Sequence, residues 1–345
     1  MMNCNRALIK NSRHMRRYST RVLAVAGMIV LVFLICFSIT KGTADIPVTA
    51  VIDAFLHFDS SNAQHLMIID LRLPRVLASA FIGAALAVAG AVMQGITRNP
   101  MADSGLMGIN AGAGFAIALC FAFMPGIAYG KLILFAFLGA ALGALLISGI
   151  SASHRNGASP MRMVLAGAAV SALLSALSQG IALIFQVGVD VLFWTVGGVA
   201  SVTWSQLYLL IPVILGALAG AVILSPSVTI LNAGEETAKG LGLHTTFIQF
   251  LCTLVVLALA GISVSVVGSV SFVGLIVPHA ARYFAGADYR KIIPSAGILG
   301  AFVLVLADLG ARTVNPPFEV PLGVLTSLIG VPFLLYLSRR AGRRV

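Results

Sequence analysis

An all-α polytopic membrane fold of about ten transmembrane helices, with both termini cytoplasmic, is the class the sequence predicts, and three observations predict it. Of the 345 residues, 59% are hydrophobic and only 10% are charged, against roughly 25% charged in an ordinary soluble domain; the mean hydropathy is +1.02. Stretches free of Asp, Glu, Lys and Arg recur at 22–40, 76–97, 104–130, 132–154, 163–189, 191–234, 240–281, 292–307 and 320–338. The basic residues between these stretches fall mostly on one side of the membrane. The composition excludes a single soluble core and a disordered chain. The stretches exclude an outer-membrane-type barrel, which would show alternating segments of about ten residues.

A spanning helix needs about 20 apolar residues, so most stretches hold one span each. The stretch 240–281 is long enough for two, with a break expected around Gly261 and Gly268. The stretch 191–234 is expected to hold one span, about 205–225, after a segment bounded by Trp194 and Trp204, whose amphipathic rings favour a membrane–water interface. The stretch 22–40 exceeds the usual signal-peptide core of about 7–15 residues and reads as the first retained span. Ten spans starting inside leave only Lys41, Arg72, Arg75, Lys131 and Arg312 of the 22 Lys and Arg outside. That is the positive-inside bias, so the net charge of +11 is a topology signal and not a nucleic-acid footprint. The organisation is a basic cytoplasmic tail at 1–20, a ten-helix domain at 21–338 and a second basic tail at 339–345.

Glycines fall inside the spans. Gly108 and Gly112, Gly139 and Gly143, and Gly216 and Gly220 form small-xxx-small faces, and Gly83 to Gly90 is another small-residue run. Such faces let backbones approach where lipid removes the hydrophobic drive. Pro125, Pro212 and Pro278 lie in or beside spans, as expected of bent or interrupted helices. Intramembrane polar groups are few: Gln94, Asn110, Gln179 and Asp308, with His279 near a span end. Asp308 and Arg312 are spaced i,i+4, which places a structural ion pair on one helix face.

No phosphate-binding Gly-rich loop with its lysine and hydroxyl occurs, and no catalytic cluster or metal-ligand spacing. The cysteines Cys4, Cys36, Cys120 and Cys252 are scattered. Catalytic residues, bound metal and cofactor are therefore expected to be none, and if the chain moves solute without a coupling-ion site its energy must come from elsewhere.

Four stretches carry a resemblance. They are Leu71-Arg-Leu-Pro-Arg75 running through Gly83–Gly90 to Gln94 and Arg98-Asn-Pro100; Leu231 through Gly242; Gly268 through Pro278-His279 and Arg282 to Asp308-x-x-Ala311-Arg312; and Val320-Pro-Leu-Gly323 with Gly330-Val-Pro-Phe333. In this order and spacing they resemble the FecCD-type permease subunit of the iron–siderophore, haem and vitamin B12 family of ABC importers. Ser104 departs from the pattern, since similar permeases commonly carry proline there.

The resemblance implies ten spans per subunit, a second permease subunit as a homo- or heterodimer partner, two cytoplasmic ABC ATPase subunits and an extracytoplasmic substrate-binding protein. It implies that Arg72, Arg75 and Arg312 receive glutamates of that binding protein at an exposed rim, a task suited to a fork of fixed charge. It assigns ATPase coupling to Glu235, Glu236, Ala238, Gly240, Leu241 and Gly242 within about 228–246, with Lys239 at the polar rim and Ala238 and Leu241 as packing contacts. The implied cargo is an iron complex, a ferric siderophore ahead of haem or cobalamin, carried across a bacterial cytoplasmic (inner) membrane. The competing class is a stand-alone ion-coupled carrier, in which Asp308 would hold the coupling ion.

Overall fold

The computed structural model describes residues 22, 24–42, 45–152, 160–316 and 318–342. The tail expected at 1–20 lies outside these residues, as do 343–345 of the second tail. The regular elements among the described residues are all helical: α1 (Ala24–Thr40), α2 (Val48–Leu56), α3 (Ala63–Thr97), α4 (Ile109–Phe123), α5 (Tyr129–Ala152), α6 (Pro160–Ile184), α7 (Gly188–Val196), α8 (Trp204–Ala233), α9 (Glu235–Gly240), α10 (Thr245–Val267), α11 (Val273–Ala285), α12 (Tyr289–Thr313) and α13 (Leu322–Gly342).

Six of them, α3, α5, α6, α8, α10 and α12, are long and apolar enough to cross a membrane, and α1, α4 and α13 contain shorter apolar helices. The 13 residues of α11 rise about 20 Å, well short of a hydrocarbon core of about 30 Å. Between α10 and α11 the stretch 240–281 breaks at Gly268, with φ +73°. It does not break at Gly261, which lies inside α10 with the Phe137 ring 3.1 Å from where a Cβ would stand. Trp194 also departs from expectation: it is buried at the end of α7, and only Trp204 opens a long span, its Nε1 donating to Ile69 O at 2.9 Å.

The helix α3 is the hub. In its most apolar window 78% of residues are buried, against 22–61% in the other five long helices. Its small residues make this possible. Gly83 lies against the backbone of Gly300 on α12, and Gly90 against the backbone of Gly274 on α11; a Cβ at either would strike a carbonyl. The two small-xxx-small faces Gly108–Gly112 and Gly139–Gly143 turn out to be halves of one crossing between α4 and α5. The third does not form a backbone crossing, because Gly216 faces open space and Gly220 meets only the Val255 side chain.

One end of the bundle gathers the C-terminus of α1, the start of α3, the start of α8 and the end of α12. There α3 carries a π-helical turn, Met67–Arg72; such a turn holds an extra residue and re-aims the side chains beside it. The opposite end gathers the end of α3, the end of α8, α9 and the start of α12, where Tyr289 N donates to Thr229 Oγ1 at 3.0 Å.

The contrast between packed and open glycines sets a test. Gly139→Val should destabilise the protein by at least the ~1–3 kcal/mol typical of overpacking, while Gly216→Val should be near neutral. Thermal unfolding of the purified protein in detergent reads both.

Candidate functional site

Three arginines and two carboxylates meet at the first of these ends. Arg75 Nε donates to Asp308 Oδ1 at 2.8 Å, and its two terminal nitrogens grip Glu319 bidentately at 2.8 and 3.0 Å. Arg312 lies 3.0 Å from Asp308 Oδ2, close enough for charge attraction without an aligned hydrogen bond. Arg312 also donates to Ser38 Oγ at 2.6 Å and to Lys41 O at 3.3 Å, and Arg72 donates to Ile39 O at 2.7 Å. The carbonyls of Ile39 and Lys41 belong to the last turn of α1 and the residue beyond it, where helix carbonyls lack intrahelical partners. The expectation of an exposed arginine rim is corrected here: Arg72, Arg75 and Arg312 are 6, 9 and 3% exposed. Burial follows from their work as partners to the buried Asp308, to Glu319 and to helix-end carbonyls.

Asp308 is 1% exposed and is shared between α3 and its own helix. The i,i+4 spacing pointed to Arg312, but nothing local signalled Arg75, 233 residues away, or Glu319. Glu319 was missed because it stands alone between two apolar stretches, without a periodic partner.

A membrane-level groove runs along α6 and α7. Its larger part, about 930 Å³, is lined by Ser171, Ser175, Ser178 and Gln179 of α6, by Asn110 of α4 and by Trp194 of α7. Residues 171, 175, 178 and 182 share one face of a 3.6-residue helix, so the serine row was legible in the sequence but was overlooked. Asn110 and Gln179, found singly as intramembrane polar groups, converge on this groove. Asn110 Nδ2 donates to Ser269 Oγ at 3.2 Å, and the Trp194 indole N–H is buried without an acceptor among the described residues. An adjoining hollow of about 670 Å³ shares Thr195 and Ser269 and is walled by Gly323, Val324, Ser327 and Leu328 of α13. The described lining residues of both parts carry no carboxylate, imidazole or thiolate.

The break between α10 and α11 borders the groove. Phe272 caps α11 in the left-handed region at φ +69°, and its ring lies over Gly330 of α13. His279 accompanies it: Nδ1 is 2.9 Å from Leu275 O, and the ring meets Phe333 edge-on at 5.8 Å between centroids. Gln94 Nε2 reaches Gly274 O at 3.3 Å, behind the same half-helix. Asp103 accepts from Ser104 N at 2.8 Å and starts a short 3₁₀ turn, a bond that proline at 104 would abolish.

At the other end, α9 is a short helix with Lys239 Nζ 2.9 Å from Glu235 and Arg98 4.0 Å from the same carboxylate. Gly242, at φ +79°, closes it: Gly242 N bonds Lys239 O and Leu243 N bonds Ala238 O, a Schellman ending that needs the left-handed residue. Glu236, Gly240, Leu241 and Gly242 are exposed. Ala238 is fully buried within this chain, which corrects the expectation that it faces a partner; it seats α9 on its own bundle. Phe247 at 60% and Phe250 at 55% exposure line a hollow of about 710 Å³, and Leu241 is 69% exposed.

Comparison with known proteins gives consistent matches over nearly the whole chain. The model of the FecCD transport family matches residues 30–340. The iron(3+)-hydroxamate import system permease protein FhuB of Bacillus subtilis is 45% identical over 95% of this chain and 85% of its own length. The Fe(3+) dicitrate transport system permease protein FecC of Escherichia coli is 36% identical over 93% of this chain and 96% of its own. A solved metal-chelate type ABC transporter in an inward-facing conformation superposes with a TM-score of 0.81 at 27% identity, covering 93% of this chain and 99% of that one.

The ionic cluster generates a graded expectation. Asp308→Asn leaves two buried guanidiniums short of charge and should cost about 3–5 kcal/mol. Glu319→Gln, at a carboxylate 36% exposed, should cost about 1 kcal/mol or less. Thermal unfolding of the two variants side by side checks the order.

Proposed function

The chain belongs to the FecCD transport family and is a permease subunit of an ABC importer of iron complexes; we propose that its cargo is a ferric siderophore that crosses intact. The lining of the groove carries this reading. Serine hydroxyls, the amides of Asn110 and Gln179 and the unpartnered Trp194 N–H offer neutral donors to the oxygen-rich face of a chelate. Carboxylates, thiolates or imidazoles in the wall would compete for the iron, and the described lining residues include none. Neutral donors without fixed charge also suit passage, since a tight site would hold the cargo back.

The proposed assembly places this chain beside a second permease subunit, with the groove between them, in the cytoplasmic (inner) membrane of a bacterium. Ten crossings result when α1, α4, α11 and α13 are counted as short or interrupted passes. The α9 end is then cytoplasmic and engages one of two ATPase subunits, which hydrolyse the ATP. Leu241 fills a pocket on that partner, and Glu235, Glu236, Lys239, Gly240 and Gly242 form the polar, closely approaching rim. The arginine end faces outward and receives the acidic lobes of a substrate-binding protein, for which the guanidinium of Arg75, already paired with the accessible Glu319, is suited. A carrier coupled to protons or sodium through Asp308 is disfavoured, because that carboxylate is held between two guanidiniums.

Reconstitution with the ATPase and binding protein tests this. Iron and hydroxamate chelator carrying separate labels should accumulate together, only with ATP. Iron arriving without its chelator would refute intact passage, and transport of haem or cobalamin in preference would reassign the cargo. Leu241→Asp should lower ATPase retention at least tenfold in pull-downs while the fold survives.

A further inference from the structure

Arg75 is one of the three arginines to which the docking reading assigns carboxylates of the binding protein, and it is already occupied. Both of its terminal nitrogens are bonded to Glu319, and its Nε to Asp308. The two carboxylates differ in accessibility. Asp308 is 1% exposed, locked beneath the surface, whereas the Glu319 side chain is 36% exposed and stands on the link between α12 and α13. An incoming carboxylate can reach the outer edge of the guanidinium only where Glu319 now sits.

We propose that Glu319 is a resident stand-in for the carboxylate of the external binding protein, and that docking exchanges one for the other on Arg75. This rests on the docking reading given above. The exchange is chemically even-handed: a bidentate carboxylate–guanidinium pair is broken and an equivalent one is formed. Its net energy is therefore small, which suits a partner that must bind, deliver and leave. Asp308 stays bonded throughout, so Arg75 is never left as an unpaired buried charge.

The exchange has a structural consequence. Glu319 lies three residues before α13, and Val320 N is tied to Ala311 O at 3.0 Å. Once Glu319 leaves Arg75, the entry to α13 keeps that backbone tie but loses its side-chain anchor to α3. The first turns of α13, through Gly323, Val324 and Ser327, wall the groove. Arrival of the binding protein at the rim thus reaches the wall of the pathway through one ion pair and a few residues of chain.

The test uses the complete permease–ATPase complex in lipid nanodiscs with the binding protein that supports its chelate uptake. A spin label is placed at Phe318→Cys, a site 72% exposed next to Glu319, in a background without other cysteines. In the parent, docking should raise the mobility of this label. In Glu319→Gln, the label should be mobile before docking, and the binding protein should bind about fivefold more tightly, the scale of one partly exposed ion pair. Simple long-range attraction by the added positive charge would tighten binding without moving the label. An unmoved label in the parent, or unchanged or weaker binding by Glu319→Gln, would overturn the exchange. A benzophenone at the same cysteine separates the two ideas. Cross-linking to the binding protein without label release leaves docking standing and removes the exchange, while no cross-link at all removes the docking reading on which it rests. Glu319→Asp, which keeps the charge but shortens the reach, should fall between the parent and Glu319→Gln.

Discussion

In lipid, helices gain nothing from hiding apolar side chains from water, so they associate by bringing backbones together and by satisfying one another's polar groups. In this permease that requirement is met chiefly on α3, at Gly83 and Gly90. Gly83 meets Gly300 on the antiparallel α12. Eight residues further toward the same end on each helix stand Arg75 and Asp308, which are bonded. The glycine contact therefore fixes the register that makes the ion pair possible. The same helix, through Gly90 and Gly274, sets where the half-helix α11 begins and so shapes one border of the groove.

Placing three guanidiniums in a buried position carries a desolvation cost that lysines would avoid by losing a proton. Arginine stays charged, and here each guanidinium has acceptors to hand. Ile39 O serves Arg72, and Ser38 Oγ, Lys41 O and Asp308 serve Arg312. The cluster ties α1, α3, α12 and the start of α13 into one unit. It also leaves Glu319 as the member with the greatest access to water, which is why the same set of charges can serve both cohesion and recognition.

Helical class, membrane character and the charged segment around Glu235 were legible because composition and charge breaks report them directly. The Asp308–Arg312 pair was legible from i,i+4 spacing. The pairing with Arg75 was not, because a contact across 233 residues leaves no local signal. The rim reading of the arginines went astray because sequence position tells which end of a span a residue occupies and not whether its side chain turns inward. Gly108–Gly112 and Gly139–Gly143 were readable as packing faces, but their being one another's partners, and Gly216 having none, depends on rotation of whole helices. The short α9 owes its limits to Gly234 and Gly242, both at positive φ, which the chain marks plainly.

The Phe272 ring seated over Gly330 couples α11 to α13 by shape. A ring in a notch resists sliding along the axis far more than it resists tilting about the point of contact. The helix α13 is thereby given a fulcrum roughly midway along its length. A push at its entry beside Pro321 swings the far half, carrying Phe333 and Leu335, in the opposite sense. A lever of this kind lets a displacement at one membrane face be felt at the other without any helix unwinding.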